Sequence, residues 1–259
     1  MIVEVWRIKV NFKNYDYKER KKKVEEILDN TDNVNEVTGF PRDEDFTYTN
    51  GYRAWASAIF VDLRDSTSLF SGNNDVDIAK VIRGFTSEII EILRKDTDNN
   101  LKEIGIRGDC VYAIYSTPLR SDISDIADRA FHINTYMIML NKLLSTRNLP
   151  NIKAGIGLAV QQTLAVKAGR KSSGINNLVW IGEAVAKAAK LSDLGNKGEV
   201  KPIVMSSTFY HNYIKEQNEN DENVAKWWTR RYDSQYGEFY HADLVKSDFH
   251  KWIVNGMEL

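Results

Sequence analysis

Apolar residues recur along this chain with two periods, one helical and one extended. Ile78, Val81, Ile82, Phe85, Ile89, Ile92 and Leu93 fall at helical spacing and predict an amphipathic helix over residues 76–95, broken by Asp98-Asn99-Asn100. Ile126, Ala130, Ile133, Met137, Leu140 and Leu144 repeat the pattern over 122–146. Ile152, Ala154, Ile156, Leu158 and Val160 alternate strictly, which predicts a strand over 152–160 with one buried face. Ala58-Ile59-Phe60-Val61 is a continuous apolar run that stops at Asp62, as a buried strand does. Residues 101–106 and 110–115 read as strands joined by a tight turn at Arg107-Gly108-Asp109.

Beyond residue 160 the elements are shorter. A loop bearing glycine and lysine over 167–174 leads to a strand at 177–181 and a helix at 183–194 stopped by Gly195. A strand at 200–205, a helix at 206–215 with a serine cap and a polar loop at 216–224 follow. From Trp227 the aromatic, alternating tail predicts extra strands that are core or interface. Near the start, residues 18–30 form a charged helix with Val24, Ile27 and Leu28 on one face, its Arg20-Lys21-Lys22-Lys23 cluster solvated and answered by Glu25 and Glu26. Residues 29–50 read as turn-rich loop. The main run, β-α-β-β-α-β followed by β-α-β-α, is the ferredoxin-like order and predicts an α+β sheet with helices on one face. The divisions expected are an N-terminal helical extension (1–50), a main domain (51–215) and an aromatic β extension packed on it (216–259).

Composition narrows the function classes. With 42% hydrophobic and 27% charged residues and a formal net charge of −1, the chain reads as globular and lacks the basic excess of a nucleic-acid binder. No apolar run approaches the roughly 18–20 residues of a membrane span, and the N-terminus lacks a signal-peptide order, so a soluble cytoplasmic protein without nucleic-acid or membrane partners is expected. The single cysteine, Cys110, excludes an intrachain disulfide and reads as a small buried hydrophobe. His132, His211, His241 and His250 have no ligand-like spacing, so no zinc site is expected.

Two carboxylates carry the chemistry. Asp62 ends the first main strand and Asp109 sits at the hairpin tip; in a ferredoxin-like sheet both reach one edge. Convergent carboxylates suit Mg²⁺ or Mn²⁺ handling a nucleoside triphosphate, because these ions take oxygen ligands and keep positions open for phosphate. Leu63-Arg64-Asp65-Ser66-Thr67 then forms a polar turn whose amides and hydroxyls suit phosphate oxygens.

Phe60-Val61-Asp62-Leu63-Arg64-Asp65-Ser66-Thr67 resembles the first-strand motif of class III nucleotidyl cyclases. Gly108-Asp109 with Val111-Tyr112-Ala113-Ile114-Tyr115 resembles that family's second metal-aspartate hairpin. Ile152 to Gly157 and Trp180 to Val185 resemble its later strand and helix entry. The resemblance runs from about residue 54 to 215. It implies a catalytic domain over 51–215 and a head-to-tail homodimer with metal and base sites on opposite subunits. It also implies two metal ions, Mn²⁺ or Mg²⁺, held by Asp62 and Asp109 with the Leu63 carbonyl joining them, and a triphosphate on Asp65, Ser66 and Thr67.

The departures are as informative. The purine-reading positions are Gly105 and Val179, neither of which offers a hydrogen bond to a base edge. Tyr52-Arg53-Ala54-Trp55 is similar to a motif of the bacterial antiphage cyclases of the Pycsar type, which make cyclic UMP or cyclic CMP and signal to a separate cyclic-nucleotide-responsive effector. There Tyr52 and Arg53 would donate to uracil and Trp55 would wall the pocket. Arg53 offers only donors, which favours UTP over CTP, while Tyr52 can donate or accept and does not decide between them. Asn and Arg of the family's transition-state helix are replaced by Ala186 and Lys190, so only Lys190 would give charge to the phosphate. Lys167, Arg170 and Lys171 read as a solvated loop. Two classes of function stay open: a pyrimidine (or purine) nucleotide cyclase, and a catalytically silent cyclase-like module that binds nucleotide or a partner.

Overall fold

Small residues, not large ones, set the layers of this protein. The computed structural model describes residues 15–30, 33–96, 100–170, 175–217 and 223–258. In chain order these form α1 (Tyr17–Leu28), β1 (Asn33–Glu36), β2 (Asn50–Leu63), α2 (Ser66–Gly72), α3 (Asp75–Arg94), β3 (Leu101–Arg107), β4 (Cys110–Ser116) and α4 (Arg120–Ser145). They continue as β5 (Ala154–Arg170), β6 (Ile175–Ile181), α5 (Glu183–Leu194), β7 (Ile203–Ser206), α6 (Ser207–Gln217), β8 (Thr229–Asp233), β9 (Gly237–Ala242) and α7 (Ser247–Val254).

The strands make one nine-stranded sheet in the order β3-β4-β2-β5-β7-β9-β8, with β1 added to β2 and β6 to β5. Within it β3-β4-β2-β5 is the ferredoxin-like order, and the pairings are antiparallel except β1 with β2 and β5 with β7. The alternation along β2 sorts its two faces. Ile59, Val61 and Leu63 join Val81, Phe85 and Ile89 of α3 and Ile126, Ile133 and Leu140 of α4 in the main core. Ala54, Ala56, Ala58 and Phe60 face the other way, where Ala188 of α5 packs on Ala58 and Phe60. Helices therefore cover both faces, which corrects the expectation of one.

Glycine explains why α5 lies so close. A Cβ at Gly155 would sit 2.0 Å from the Ser192 carbonyl oxygen, and one at Gly157 would sit 2.1 Å from that of Ala188. Backbone thus rests on backbone along β5, and no side chain could be accommodated.

Other differences have local causes. The predicted strand at 58–61 is the end of the longer β2, and that at 152–160 the start of the 17-residue β5, because the polar positions on either side also find ladder partners. Lys167 to Arg170 therefore belong to β5 and not to a loop; Lys171 lies outside the described residues, as does most of the loop at 216–224. The charged helix forms, with Asp16 capping it through the amides of Lys18 and Glu19, but Val24, Ile27 and Leu28 are all exposed, so its apolar face is uncovered. Lys21 and Lys23 pair with Glu25 and Glu26. The stretch read as loop before residue 50 contains β1 and buries Phe40 and Phe46. The tail supplies β8 and β9, and also the unforeseen α7.

The close approach gives a test. Gly157→Ala should lower unfolding free energy by about 2–3 kcal/mol or more, because the intruded atoms are backbone and cannot swing aside. Urea unfolding followed by circular dichroism measures it; an unchanged midpoint would contradict the packing.

Candidate active site

Asp62 stands opposite Cys110, so Asp109 is the next residue along, in the turn between β3 and β4. Gly108 takes φ +65° there, the left-handed conformation that lets the hairpin turn so tightly. The two carboxylates consequently share one sheet edge. Burial pushes the Asp62 carboxyl above its ordinary range; Arg64 pulls it back, while the negative charges of Asp109 and Asp193 push it up again.

Arg64 is the residue that the sequence reading named without a role of its own. Its guanidinium is buried, ion-paired to Asp62 Oδ2, and its Nη1 donates to the Asp193 carbonyl at the end of α5 at 2.7 Å. Lys197, at 3.4 Å from Asp193, adds positive charge that also reaches Asp62. Only the position of Arg64, two residues past a strand-ending aspartate, hinted at this.

The Leu63 carbonyl can be placed from the backbone alone. The Arg64 amide donates to Lys153 O at 2.7 Å, on the β5 side. A trans peptide points the preceding carbonyl the opposite way, toward the turn that holds Asp109. Among the described residues no group of three His, Cys, Asp or Glu side chains converges. Two mutually repelling carboxylates and a carbonyl on one edge nonetheless fit a hard divalent cation that takes its remaining oxygens from phosphate and water. In the turn that follows, Asp65 adopts φ 54° and is exposed, Ser66 is half-buried and Thr67 exposed.

The other predicted residues are spread more widely. Lys190 and Ala186 lie on α5 and line a cleft of ≈ 220 Å³ with Glu183, Lys187, Gln235 and Tyr236. The lysine whose charge reaches Asp62 within the chain is Lys197. Tyr52 shares the Asp62 face of β2, packs edge-on against Phe46 at 4.9 Å and accepts from Asn50. Arg53 and Trp55 alternate to the opposite face. There Trp55 borders a ≈ 370 Å³ cavity with Thr117, Pro118, Leu119 and Ile123. Tyr52, Arg53 and Trp55 therefore do not enclose one pocket within this chain. Cys110 is buried, and burial first, then the Asp62 charge, pushes its thiol up to about 12. It is an unreactive core residue.

A second polar centre lies on the Asp62 face and was not foreseen. Glu103 accepts from the Tyr112 hydroxyl at 2.6 Å and from the Trp180 indole at 2.7 Å. Tyr112 stacks on Phe60 with centroids 5.1 Å apart, and its ring passes over Gly105, where a Cβ would lie 2.7 Å from the phenol oxygen. Val179 is exposed and apolar.

No family model matches the chain. The curated relatives do: a "Uridylate cyclase" of Treponema porcinum is 47% identical over 94% of this chain and 82% of that protein. Another of the same name from Gulbenkiania mobilis is 29% identical over 93% of this chain and 96% of its own. Among solved structures, the guanylyl cyclase Cya2 superposes with a TM-score of 0.60 at 15% identity, covering 76% of this chain and 95% of that one. A class III adenylyl cyclase-like ATP-binding protein from Pseudomonas aeruginosa gives 0.64 at 13% identity over 93% of this chain and 49% of its own. The fold is that of class III cyclases, and the 47% identity over nearly the whole length settles the branch. The chain belongs to the uridylate cyclase family, the Pycsar-type members of the class III nucleotidyl cyclases.

Proposed function

We propose that this protein is a divalent-metal-dependent pyrimidine nucleotide cyclase that converts UTP to 3′,5′-cyclic UMP and pyrophosphate. The observation that carries the reading is the pair Asp62 and Asp109 at one sheet edge, in a chain 47% identical to a uridylate cyclase. Asp62, Asp109 and the Leu63 carbonyl would hold Mn²⁺ or Mg²⁺, two ions per site. When bound, these ions polarise the α-phosphate and lower the pKa of the ribose 3′-OH. The chain's own residues position the rest. Arg64 fixes Asp62 from behind, and Ser66 and Thr67 offer hydroxyls beside the triphosphate. Lys190 would supply positive charge from the α5 side. The 3′-hydroxyl gives its proton to solvent and its oxygen bonds the α-phosphorus in line, while the bond to the bridging oxygen breaks and pyrophosphate leaves.

The wider reading follows the family: a catalytic domain over 51–215, a head-to-tail homodimer, and a product sensed by a separate effector in cytoplasmic antiphage defence. No helix among the described residues is long and apolar enough to cross a membrane. UTP preference is supported by the names of both relatives and by the purine-reading positions, where Gly105 is covered by Tyr112 and Val179 has no polar atom. A second reading, nucleotide binding without turnover, draws on Ala186, which puts no hydrogen-bonding group at that position of α5.

Three outcomes are expected. Incubated with Mn²⁺ and each of the four ribonucleoside triphosphates, the protein should yield cyclic UMP as its main cyclic product by mass spectrometry. A preference for ATP would sink the base assignment, and binding without product would favour the silent module. Asp62→Ala and Asp109→Ala should each abolish product and weaken Mn²⁺ binding, read by electron paramagnetic resonance at a temperature where circular dichroism is native. Asp62→Ala should also lower the thermal midpoint, because Arg64 loses its buried partner. Near-wild-type turnover in either removes the two-carboxylate mechanism. Specific activity should fall steeply on dilution below the dimer dissociation constant, and a fully active monomer would contradict the shared site.

A further inference from the structure

The Asp62 face of the sheet carries a cavity of ≈ 330 Å³ that none of the catalytic assignments uses, and its polar lining is unusual in pattern. Lys102 and Glu103 of β3 and Lys167 of β5 all line it, with Tyr112, Asn177 and the apolar Leu178 beside them. Neighbours on a strand ordinarily point to opposite faces. Here the register between β3 and β4 shifts between Leu101 and Glu103, so Lys102 is the extra residue of a bulge and reaches the same cavity as Glu103. The two lysines are steadied at their tips: Lys102 donates to Pro41 O at 3.2 Å and Lys167 to Phe46 O at 3.3 Å. Each ammonium keeps two further N–H donors. Asp43, which also borders the cavity, faces Lys102.

Glu103 is held more firmly still. Its two oxygens each accept one hydrogen bond, from Tyr112 and Trp180, which leaves further lone pairs on the carboxylate. Trp180 is itself fixed by an edge contact with Phe40 at 5.0 Å. Tyr112 is fixed by its stack on Phe60, two residues before Asp62 on the same face of β2. Burial, then the bond to Glu103, pushes the Tyr112 phenol up to about 12, so it stays a donor at neutral pH.

Resting on the cyclase reading above, we infer that this cavity reads the substrate's base, with Lys102, Glu103 and Lys167 presenting donor, acceptor and donor to the edge of uracil. That edge carries a carbonyl, an N3–H and a second carbonyl, the complementary order. Cytosine places an unprotonated N3 against the carboxylate and an amino group against a lysine, and adenine likewise sets an acceptor, N1, against Glu103. Once the bound base shields these groups from water, a mispairing of this kind discriminates more strongly than size does. Gly105 follows from the same arrangement, since any side chain there would displace the Tyr112 hydroxyl that holds Glu103.

The test is Glu103→Gln, assayed with Mn²⁺ on UTP and CTP and by calorimetry with the non-cyclisable α,β-methylene analogues of both. The Trp180 indole can only donate, so it pins the glutamine oxygen; the amide NH₂ then gives one hydrogen to the Tyr112 hydroxyl, which can accept, and presents the other to the base. The UTP-to-CTP ratio in kcat/KM, and in analogue affinity, should fall about tenfold or more. Equal losses on both nucleotides, or an unchanged ratio, would overturn the assignment while wild-type cyclic UMP production kept the cyclase reading intact. Absence of any cyclic product from wild type would fail that reading instead, and the analogue affinities would still judge the cavity. Should Glu103→Gln unfold, Lys102→Met and Lys167→Met carry the test. One of them should lower the same ratio, because cytosine keeps only one of the two carbonyls. A ratio unmoved by both overturns the proposal.

Discussion

Arg64 carries its guanidinium into the protein with only 4% of its side chain exposed and directs it at the Asp62 carboxylate and the Asp193 carbonyl. Removing either charge of such a pair strands the other away from water, which is costly even where the intact pair adds little net stability. Here the arrangement has a positional consequence. The carboxylate at the end of β2 is anchored to the last turn of α5, and the backbone of the following turn is fixed from inside. Arg64 engages one oxygen of Asp62, which stands at the strand end beside the turn that holds Asp109, on the side to which the Leu63 carbonyl points.

That anchoring depends in turn on how near α5 lies. Gly155 and Gly157 allow the helix backbone to rest on β5, and Ala54, Ala56 and Ala58 keep the neighbouring strand low. Larger residues on this face would lift α5 and draw the Asp193 carbonyl away from Arg64. The large side chains are concentrated on the opposite face, where α3 and α4 supply the main core. One face is therefore built for burial and the other for the close approach of α5 to the sheet.

The same face links the two polar centres. From Asp62 the path runs to Phe60, across the ring stack to Tyr112, and through a hydrogen bond to Glu103 and Trp180. The first step is adjacency on one face of β2, the second a ring stack, and the last two are charge-assisted hydrogen bonds, so the two centres share one rigid strand.

Period and punctuation were enough to read α3, α4, α5 and the β3–β4 hairpin, because each has a strong repeat bounded by a turn or Gly195. The apolar run stopping at Asp62 and the Gly108-Asp109 turn likewise marked both carboxylates, since their order follows from chain topology. What sequence could not decide was direction and distance. It does not show that α5 covers the second face, because that rests on Gly155 and Gly157 meeting backbone 35 residues or so later. Tyr52, Arg53 and Trp55 are neighbours in sequence, but β2 continues through them, and its pleat sends Tyr52 one way and the other two the opposite way. Arg64, Glu103, Tyr112 and Trp180 came together only in the folded chain. Each is an ordinary polar or aromatic residue by itself, and it is burial and a partner from a distant strand or helix that gives it a role.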